Sequence, residues 1–394
     1  MKLVDVSEFY AERGGGVRTH TDAKLAAGAA LGHEVVIVAP GPADREERRL
    51  GGRVVWIGSR PMPLDPRYYM LLRERAVHAV LDREQPDVVE GSSPWTGGVF
   101  CARWRGSALK SFVFHQDPVA VYPQTLLGGL LGSERVDRLC SPFFHYLRAL
   151  SRRYHLTLTS GAWLAERLRR HGLQAPEAVP FGVDKQHFSP RRRSEPLRRT
   201  LLAACGLPES ARLLIAVGRH HPEKRLGTLI RALANLQSDP PVGLVIYGDG
   251  PLRPLLERRA ARVPNVRILG SVERGALAQA LASADALVHG SSAETFGLAV
   301  AEAICSGLPV VVPDAGGAGE LARREYAELY AAGDARACAA AIARLLARDQ
   351  AALCAAASAA AEQLVWPADA HFEALFALYG AKLISAPRTA QPAR

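Results

Sequence analysis

The sequence lacks the features of a disulfide-rich, zinc-binding or membrane-spanning protein. Its six cysteines lie far apart and form no Cys-x-x-Cys pair, which argues against a zinc site and against a disulfide framework. No apolar run reaches the roughly 20 residues that a bilayer-spanning helix needs. An acidic residue, Asp5, comes too early for a signal peptide. We therefore expect a cytoplasmic protein that rests at most on the inner face of the plasma membrane.

Motifs of nucleic-acid-binding proteins are also missing, although the formal net charge is +10. There is no zinc-finger spacing and no aromatic-basic RNA motif, and the arginines are scattered over the chain rather than gathered in one stripe. Solvated helix faces account for part of this charge, and a phosphate-rich substrate or an anionic membrane surface accounts for the rest. We expect no nucleic-acid partner.

Two further absences restrict the enzyme classes. An NAD-dependent dehydrogenase would carry Gly-x-Gly-x-x-Gly after its first strand, and the glycine triplet at residues 14–16 does not have that spacing. No Asp-x-Asp motif follows a strand to hold a divalent cation. We therefore expect neither a metal ion nor a cofactor.

Short apolar runs rich in β-branched residues alternate with helix-like stretches along the whole chain. The predicted strands are Lys2–Ser7, Glu34–Ala39, Arg53–Gly58, Asp87–Glu90, Ser111–His115, Leu156–Thr159, Leu213–Val217, Gly243–Tyr247, Val266–Leu269, Ala286–His289 and Pro309–Val312. Runs that are apolar throughout are typical of parallel strands buried on both faces. Because the series occurs twice in 394 residues, the sequence predicts an α/β protein with two doubly wound, Rossmann-like domains.

The two series and the segments between them predict the domain boundaries. Residues 1–185 form the first domain and residues 186–365 the second, with the break in the basic, strand-free stretch 182–199. An aromatic helical pattern at 366–381 is predicted to pack back onto the first domain, and 382–394 is predicted to be a loose tail. Ligands of open parallel sheets bind at the carboxyl ends of the strands, so a shared ligand is expected in a cleft between the two domains.

The segment Ser291–Ala303 is the most informative stretch for chemistry. It follows a predicted strand, and a helix is predicted to start near Phe296 with Thr295 as its N-cap. The start of such a helix suits a phosphate group. Glu294 and Glu302 lie roughly 12 Å apart along the helix axis and could hold hydroxyls at separate points of a long ligand. From the residues alone, both could equally be surface charges.

Two cations follow the first strand of the second series. Arg219 offers a planar guanidinium and Lys224 a mobile point charge. A departing nucleotide diphosphate needs fixed positive charge of this kind, because negative charge grows on it as the glycosidic bond breaks. Elsewhere in the chain such residues would be read as surface cations.

Five motifs in order, within about 110 residues, resemble the large retaining GT-B glycosyltransferase family with the acid-x7-acid motif. They are Gly218–Leu226, Tyr247–Pro251, Val266–Gly270, Glu294–Glu302, and Ala303–Pro309 followed by Gly316, Gly317 and Glu320. The resemblance implies that Arg219 and Lys224 grip the donor diphosphate and that Glu294 holds the sugar. It further implies a donor-binding role for Gly248, Gly250, Leu269, Phe296, Gly297, Leu298 and Glu302. The two histidines His220 and His221 depart from the family pattern.

The first domain carries the remainder of the resemblance. Residues 14–16 resemble the family's glycine loop, which implies that Gly15 and Gly16 contact the donor and that Arg18 and His20 contact the acceptor. His115 ends a predicted strand where the family has a histidine near the reacting sugar, and Asp117 is predicted to contact the acceptor. Without the resemblance, a flexible turn and a structural histidine would explain these residues.

The resemblance is strongest to the lipid-modifying branch, which includes mannosyl- and sulfoquinovosyltransferases. It implies metal-independent, retaining transfer of a hexose, with mannose favoured, from a GDP- or UDP-linked sugar to a lipid or glycan. The alternatives are a UDP-hexose transferase with a soluble acceptor and a sugar-nucleotide 2-epimerase; a non-catalytic scaffold would be expected to have lost Glu294, Arg219 or Lys224. Basic stretches at 148–153 and 167–170 predict a peripheral contact with an anionic membrane.

Overall fold

The computed structural model of the protein describes residues 1–12, 16–63 and 65–385. The strands are β1 (Lys2–Val6), β2 (Glu34–Gly41), β3 (Arg45–Arg49), β4 (Gly52–Gly58), β5 (Pro61–Met62), β6 (Asp65–Tyr69), β7 (Val88–Gly91), β8 (Leu109–Phe114), β9 (Leu156–Thr159), β10 (Pro176–Ala178), β11 (Gly182–Val183), β12 (Arg212–Val217), β13 (Val242–Tyr247), β14 (Val266–Gly270), β15 (Ala286–Val288), β16 (Val310–Pro313), β17 (Ala327–Tyr330) and β18 (Trp366–Pro367).

The helices alternate with these strands. The α-helices are α1 (Gly16–Ala30), α2 (Glu74–Glu84), α3 (Thr96–Arg103), α4 (Pro118–Val121), α5 (Pro123–Leu131), α6 (Ser133–Leu139), α7 (Ser141–Ser151), α8 (Ala162–Arg170), α9 (Glu195–Ala204), α10 (Leu226–Asn235), α11 (Arg253–Ala260), α12 (Arg274–Ser283), α13 (Leu298–Cys305), α14 (Ala335–Leu346), α15 (Gln350–Leu364) and α16 (Ala368–Ser385). Three short 3₁₀ turns are η1 (Pro190–Arg192), η2 (Pro222–Lys224) and η3 (Gly317–Leu321). No helix in the described ranges is long and apolar enough to span a bilayer.

The chain divides into two compact units. The first contains Met1–His115, Ser141–Pro180 and the chain from Asp369 onward, and the second contains Gln116–Cys140 and Phe181–Ala368. The sequence instead predicts that residues 116–140 belong to the first domain. It also predicts a domain boundary between residues 185 and 186, slightly later than the boundary after Pro180 in the structure.

The sheet of the first unit has the strand order β10-β9-β8-β7-β1-β2-β4-β3. All its neighbouring pairs are parallel except β3 and β4, which are antiparallel. The strand order reverses between β1 and β7, which places the topological switch point at the carboxyl ends of these two strands. The parallel core of this sheet is the one that the apolar runs predict.

The sheet of the second unit has the order β14-β13-β12-β15-β16-β17, with every neighbouring pair parallel. Relative to chain order this is 3-2-1-4-5-6, the doubly wound order of dinucleotide-binding domains. Its switch point lies between β12 and β15, where Leu214 is in register with Ala286. The loops that leave these two strands carry Arg219, Lys224 and Glu294.

Both faces of this second sheet are buried, which explains why its strands are apolar throughout. Leu213 and Ile215 of β12 belong to one core cluster, whereas Leu214 and Ala216 belong to a cluster on the opposite face. Successive side chains of a strand point to opposite faces, so a strand covered on both sides needs an apolar residue at every position. Two helix layers therefore hold the sheet rigidly beneath the loops at its carboxyl edge.

A buried charged cluster lies at the centre of the first unit. The ammonium group of Lys24 in α1 donates to Asp5 Oδ2 at 2.8 Å and also pairs with Glu90 at the end of β7. Tyr379 of α16 donates its hydroxyl to Glu90 Oε1 at 2.5 Å and contacts Ser111 Oγ at 3.0 Å. The C-terminal helix is thus tied to the sheet of this unit by hydrogen bonds inside the core.

The structure differs from the sequence predictions in several elements, among them one strand and two helix boundaries. Strand β3 was not predicted, because all five of its residues are charged and only its pairing with β4 makes it a strand. Helix α13 begins at Leu298 rather than near Phe296, with Gly297 in the N-cap position. Helix α16 continues to Ser385, so the predicted tail from residue 382 starts too early.

Candidate active site

An ion pair joins the two loops at the switch point of the second unit. Lys224, at the end of η2 after β12, pairs with Glu294 Oε1 in the loop after β15. His289, directly after β15, places its Nε2 3.4 Å from the same carboxylate oxygen. Both side chains of the ion pair are about one-fifth exposed, with 20% for Lys224 and 17% for Glu294. A ligand at this edge of the sheet can therefore reach both.

The carboxylate of Glu294 is held in its charged form. Burial acts to raise the pKa of Glu294, but the charge of Lys224 and the neighbouring His289 ring outweigh it and hold that pKa well below its ordinary value. An ionised carboxylate accepts hydrogen bonds from hydroxyl groups. Glu294 is therefore a permanent acceptor, and Lys224 is a cation beside it.

Backbone contacts hold the loop between β15 and α13 in place. The carbonyl of His289 accepts a hydrogen bond of 2.7 Å from the Tyr330 hydroxyl. Farther along, the carbonyl of Glu294 accepts one of 2.7 Å from the backbone N–H of Gly317. The position of the Glu294 side chain is thus set by fixed backbone on both sides of it.

Helix α13 follows this loop and starts with a glycine in the left-handed region. Gly297 has φ +89°, a conformation that L side chains rarely adopt. Its added Cβ would also lie 2.8 Å from Ala318 Cα, so the position accepts no side chain. Phe296 is buried and packs edge-on against Phe181 at 5.8 Å between ring centroids. Val300 and Ala301 donate the first hydrogen bonds of the helix to the carbonyl of Gly297, so the preceding N–H groups, those of Leu298 and Ala299, are the ones that suit an anion.

Glu302 lies one turn farther along α13 in a different electrostatic setting. Burial raises the pKa of Glu302 to about 7, against the opposing charge of Arg274. This carboxyl group therefore takes up a proton near neutral pH, in contrast to Glu294. The two acids of the motif differ in charge state because only Glu294 has a cation in contact with it.

The other sequence-predicted residues of the second unit lie along the same carboxyl edge. Gly248 and Gly250 follow β13, and an added Cβ at Gly248 would strike the carbonyl oxygen of Gly218 after β12. Leu269 lies in β14, the outermost strand. Arg219 pairs with Glu223, its Nη2 3.6 Å from Glu223 Oε1, and its side chain is half exposed. The structure thus brings Lys224 and Glu294 together and leaves Arg219 at the rim.

Three histidine rings form a second cluster, within the first unit. The His20 ring lies 5.2 Å from the rings of both His115 and His371, measured between centroids. His371 Nδ1 donates to the carbonyl of Pro180 at 2.8 Å. Burial, together with the charge of Lys24, lowers the pKa of His115 to about 4, and burial lowers the pKa of His371 to about 4. Both rings are therefore neutral at physiological pH.

The remaining predicted residues have structural contacts of their own. Arg18 Nε lies 3.4 Å from Asp22 Oδ2 on the next turn of α1, the helix that starts at Gly16. Asp117 is buried and caps α4 by accepting from the backbone N–H groups of Val119 and Ala120. The predicted donor contact Gly15 lies outside the described residues. The acceptor contacts predicted for Arg18 and Asp117 therefore stay predictions.

Comparison with known proteins decides the family. Residues 211–348 match the group 1 glycosyl transferases, and residues 15–183 match the glycosyl transferase 4-like domain. A GDP-mannose-dependent alpha-(1-6)-phosphatidylinositol dimannoside mannosyltransferase of Mycobacterium tuberculosis is 32% identical over 316 residues, 79% of each chain. The chain belongs to this glycosyltransferase family.

Two further similarities confirm the branch and the fold of this glycosyltransferase. A sulfoquinovosyl transferase of Arabidopsis thaliana is 33% identical over 296 residues, which are 73% of this chain and 54% of the plant protein. The structure of sucrose-phosphate synthase from Thermosynechococcus elongatus superimposes with a TM-score of 0.79 at 21% identity, covering 98% of this chain and all of that one. The predicted GT-B fold with two Rossmann-like domains is therefore confirmed.

Two residues of the ion-pair site and the histidine cluster were not predicted from the sequence. His289 was assigned only to the end of a predicted strand, and nothing in the sequence connects it with Glu294. His371 lies in a helix that was identified only by its aromatic residues, far from His20 and His115 along the chain. His289 lies close to Glu294 along the chain, but the conformation of the loop after β15 decides that their side chains meet; only the fold brings His371 to His20.

Among the side chains of residues 1–12, 16–63 and 65–385, no three His, Cys, Asp or Glu residues converge in a way that could hold a metal ion.

Proposed function

We propose that this glycosyltransferase moves a hexose, with mannose favoured, from a nucleotide diphosphate sugar to a hydroxyl group of a lipid or glycan, with retention of anomeric configuration. The preference for GDP-mannose rests on the mycobacterial relative, whose name gives that donor and a phosphatidylinositol mannoside. The plant relative transfers sulfoquinovose. Both names describe the transfer of a hexose-type sugar, and the mycobacterial name adds a lipid acceptor.

The observation that carries the proposal is the Lys224–Glu294 pair beside the start of α13. Breaking the glycosidic bond of a sugar nucleotide places growing negative charge on the diphosphate. Lys224 and the first N–H groups of α13 are fixed positive groups that stabilise this charge without rearrangement. Arg219 at the rim adds a second cation. Glu294 accepts hydrogen bonds from sugar hydroxyls, and Glu302 is assigned to the ribose.

Retention is proposed to occur by attack of the acceptor on the face that the diphosphate leaves. A double displacement would need a carboxylate nucleophile next to the anomeric carbon. Glu294 is engaged with Lys224, and Asp117 accepts two backbone hydrogen bonds at the start of α4. We therefore assign no nucleophile to the protein and propose that the departing phosphate takes the acceptor proton. His115, neutral at physiological pH, is assigned to orient a sugar hydroxyl.

The reaction is proposed to need no metal ion and no cofactor. In this account, the charge that a divalent cation would supply to the leaving diphosphate comes from Lys224, Arg219 and the helix terminus. The test is transfer from GDP-mannose and from UDP-glucose, each in EDTA, to a phosphatidylinositol-type lipid and to a soluble mannoside. We expect one donor to give a glycoside whose NMR coupling constants show the anomeric configuration of the donor.

The same assay separates the alternatives. Transfer from the UDP-sugar to the soluble mannoside alone would support a UDP-hexose transferase with a soluble acceptor. A changed sugar nucleotide without any glycoside would indicate a 2-epimerase. An inverted product would contradict same-face attack, and activity that EDTA abolishes and Mg²⁺ restores would contradict metal independence.

A peripheral contact with an anionic membrane is proposed as part of this function, and α5 supports it. None of the nine residues of this helix is buried. Leu126 is 71% exposed and Leu130 is 85% exposed, four residues apart on one face of the helix. An apolar face that is open to water fits insertion at a bilayer interface. In the predicted basic stretches at 148–153 and 167–170, Arg152, Arg153, Arg169 and Arg170 are exposed and supply attraction to anionic headgroups, whereas Arg167 is buried.

We expect phosphatidylglycerol vesicles to sediment the protein at low salt, and the double variant Leu126→Ser/Leu130→Ser to bind at least about a hundredfold less tightly. The reason is that burying each leucine contributes about 1.5–3 kcal/mol. Ile384→Ser is the matched control, because Ile384 is 89% exposed on α16. If the wild-type protein stays in the supernatant, the membrane contact is wrong; if the double variant binds as tightly as the control, α5 has no part in it.

A further inference from the structure

A cleft between α10 and α11 in the second unit is lined by three arginines. It has a volume of about 260 Å³ and lies at the start of α10. Arg225 and Arg231 come from α10 and its N-cap, and Arg259 comes from the last turn of α11. Leucines of both helices form its apolar wall. Neither Lys224 nor Glu294 lines this cleft, although its lining includes His221 and Pro222 of the same loop.

The three guanidinium groups have no acidic partner among the described residues. The side chains of Arg225 and Arg259 make no hydrogen bond or ion pair there, and the side chain of Arg231 donates only to the Thr228 hydroxyl at 3.1 Å. No aspartate or glutamate is among the lining residues that the structure describes. Other arginines of the chain are neutralised in place: Arg53, for example, pairs with Glu34, Glu46 and Glu84. The cleft therefore concentrates uncompensated positive charge beside an apolar wall.

The backbone of α10 adds to the positive electrostatic field of the cleft. Arg225 is the N-cap of α10 in the left-handed conformation, with φ +46°, and no side chain caps the helix. The first N–H groups of α10 and the positive end of its dipole therefore lie at the same cleft. The Arg225 guanidinium is directed toward the loop after β17, since a Cβ built at Gly333 would lie 3.0 Å from Arg225 Nη1, so Arg231 and Arg259 supply the side-chain charge of the cleft itself.

We propose that this cleft binds a phosphate group, either inorganic phosphate or the phosphate of a small phosphorylated molecule, independently of the sugar-nucleotide site. Guanidinium groups match the geometry of phosphate oxygens with paired hydrogen bonds. Thr228 holds Arg231 in place, and Arg259 approaches from the opposite helix. The apolar wall leaves room beside the phosphate for an uncharged organic part of the ligand.

The test is isothermal titration calorimetry. Inorganic phosphate is titrated into the intact protein in a phosphate-free buffer of constant ionic strength. We expect saturable binding to the wild-type protein and a loss of affinity of at least about tenfold in Arg231→Gln/Arg259→Gln, because two charge-assisted contacts are removed. Arg258→Gln/Arg262→Gln is the matched control: both residues are exposed on or next to α11 and do not line the cleft. This control is expected to bind phosphate like the wild type.

Nucleotide binding distinguishes the cleft from the donor site. We expect Arg231→Gln/Arg259→Gln to bind GDP normally, which also shows that it is folded, and Lys224→Ala to bind phosphate normally. Equal phosphate affinity in the double variant and its control, or competition between GDP and phosphate for one site, would overturn the inference. A wild-type protein that binds phosphate at the cleft but no nucleoside diphosphate would contradict the proposed function and leave the cleft assignment intact. Titration with glycerol 3-phosphate then separates free phosphate from a phosphorylated organic ligand.

Discussion

Replacing Lys224 by alanine is expected to lower kcat by about a hundred- to a thousandfold while leaving the fold intact. Removing one preorganised group that stabilises the leaving charge costs roughly 3–4 kcal/mol of transition-state energy. Lys224 is also the cation in contact with Glu294, so its loss removes the group that holds this carboxylate. The measurement is the initial rate of sugar transfer at saturating donor, with circular dichroism to verify folding.

The matched control for Lys224 is Arg344→Ala. Arg344 pairs with Glu328 at 2.8 Å on the surface of the same unit, and its side chain is 55% exposed. Its removal changes the net charge by the same amount and should leave kcat within about twofold, because exposed ion pairs contribute little. A Lys224→Ala variant that transfers sugar at the wild-type rate would show that the donor site has been assigned to the wrong residues.

Replacing Lys24 by methionine is expected to destabilise the protein by about 3–5 kcal/mol. Lys24, Asp5 and Glu90 are each about 1% exposed, and the ammonium group is the cation that both carboxylates contact. Removing one partner of a buried ion pair leaves uncompensated charge in the core, which costs far more than a surface pair. Urea unfolding followed by circular dichroism measures the loss. Lys382→Met is the control, because Lys382 and Glu177 are both more than one-third exposed, and it should cost at most about 1 kcal/mol.

The loss of stability caused by removing Lys24 should be larger at high pH than at low pH. Burial already raises the pKa of Glu90 in the folded protein, and the loss of Lys24 removes an opposing charge and raises that pKa further. A carboxyl group with a raised folded-state pKa stabilises the fold at low pH and loses this contribution as the pH rises toward that pKa. The variant should therefore be closest to the wild type near pH 5 and weakest near pH 8. A cost equal to that of Lys382→Met at both values would contradict the buried cluster.

The strands and the motif loops could be predicted from the sequence because both depend on local patterns. A strand such as β12 is buried on both faces, so its apolar run is visible without any knowledge of its neighbours. Strand β3 has no such run: its five charged residues form a strand only by pairing with β4. The start of α13 was placed too early because Thr295 resembles an N-cap, whereas the chain uses the left-handed Gly297.

The interactions around the candidate site could be predicted only in part. The sequence identified Lys224 and Glu294 as members of one site, and the structure joins them in an ion pair. It could not reveal that His289 completes this contact, or that Tyr379 reaches Glu90 from a helix 289 positions away along the chain. The Tyr379–Glu90 pair depends on strand order and helix packing, whereas the nearby His289 and Glu294 meet because of the conformation of the loop after β15. The same limit applies to the cleft at Arg225, whose third arginine lies on a separate helix.

The central claim, that the second unit binds a nucleoside diphosphate through Lys224 and without a metal ion, is tested most directly by a thermal-shift panel. GDP, UDP, ADP and NAD are each added in EDTA near 100 times the expected dissociation constant, to the wild type and to Lys224→Ala. Specific binding at that concentration stabilises the fold by about 2.7 kcal/mol, a shift of several degrees at most. We expect one nucleoside diphosphate, GDP in preference to UDP, to shift the wild type and to have a smaller effect on the variant. A shift with NAD alone, or with none of the four, would contradict the assignment.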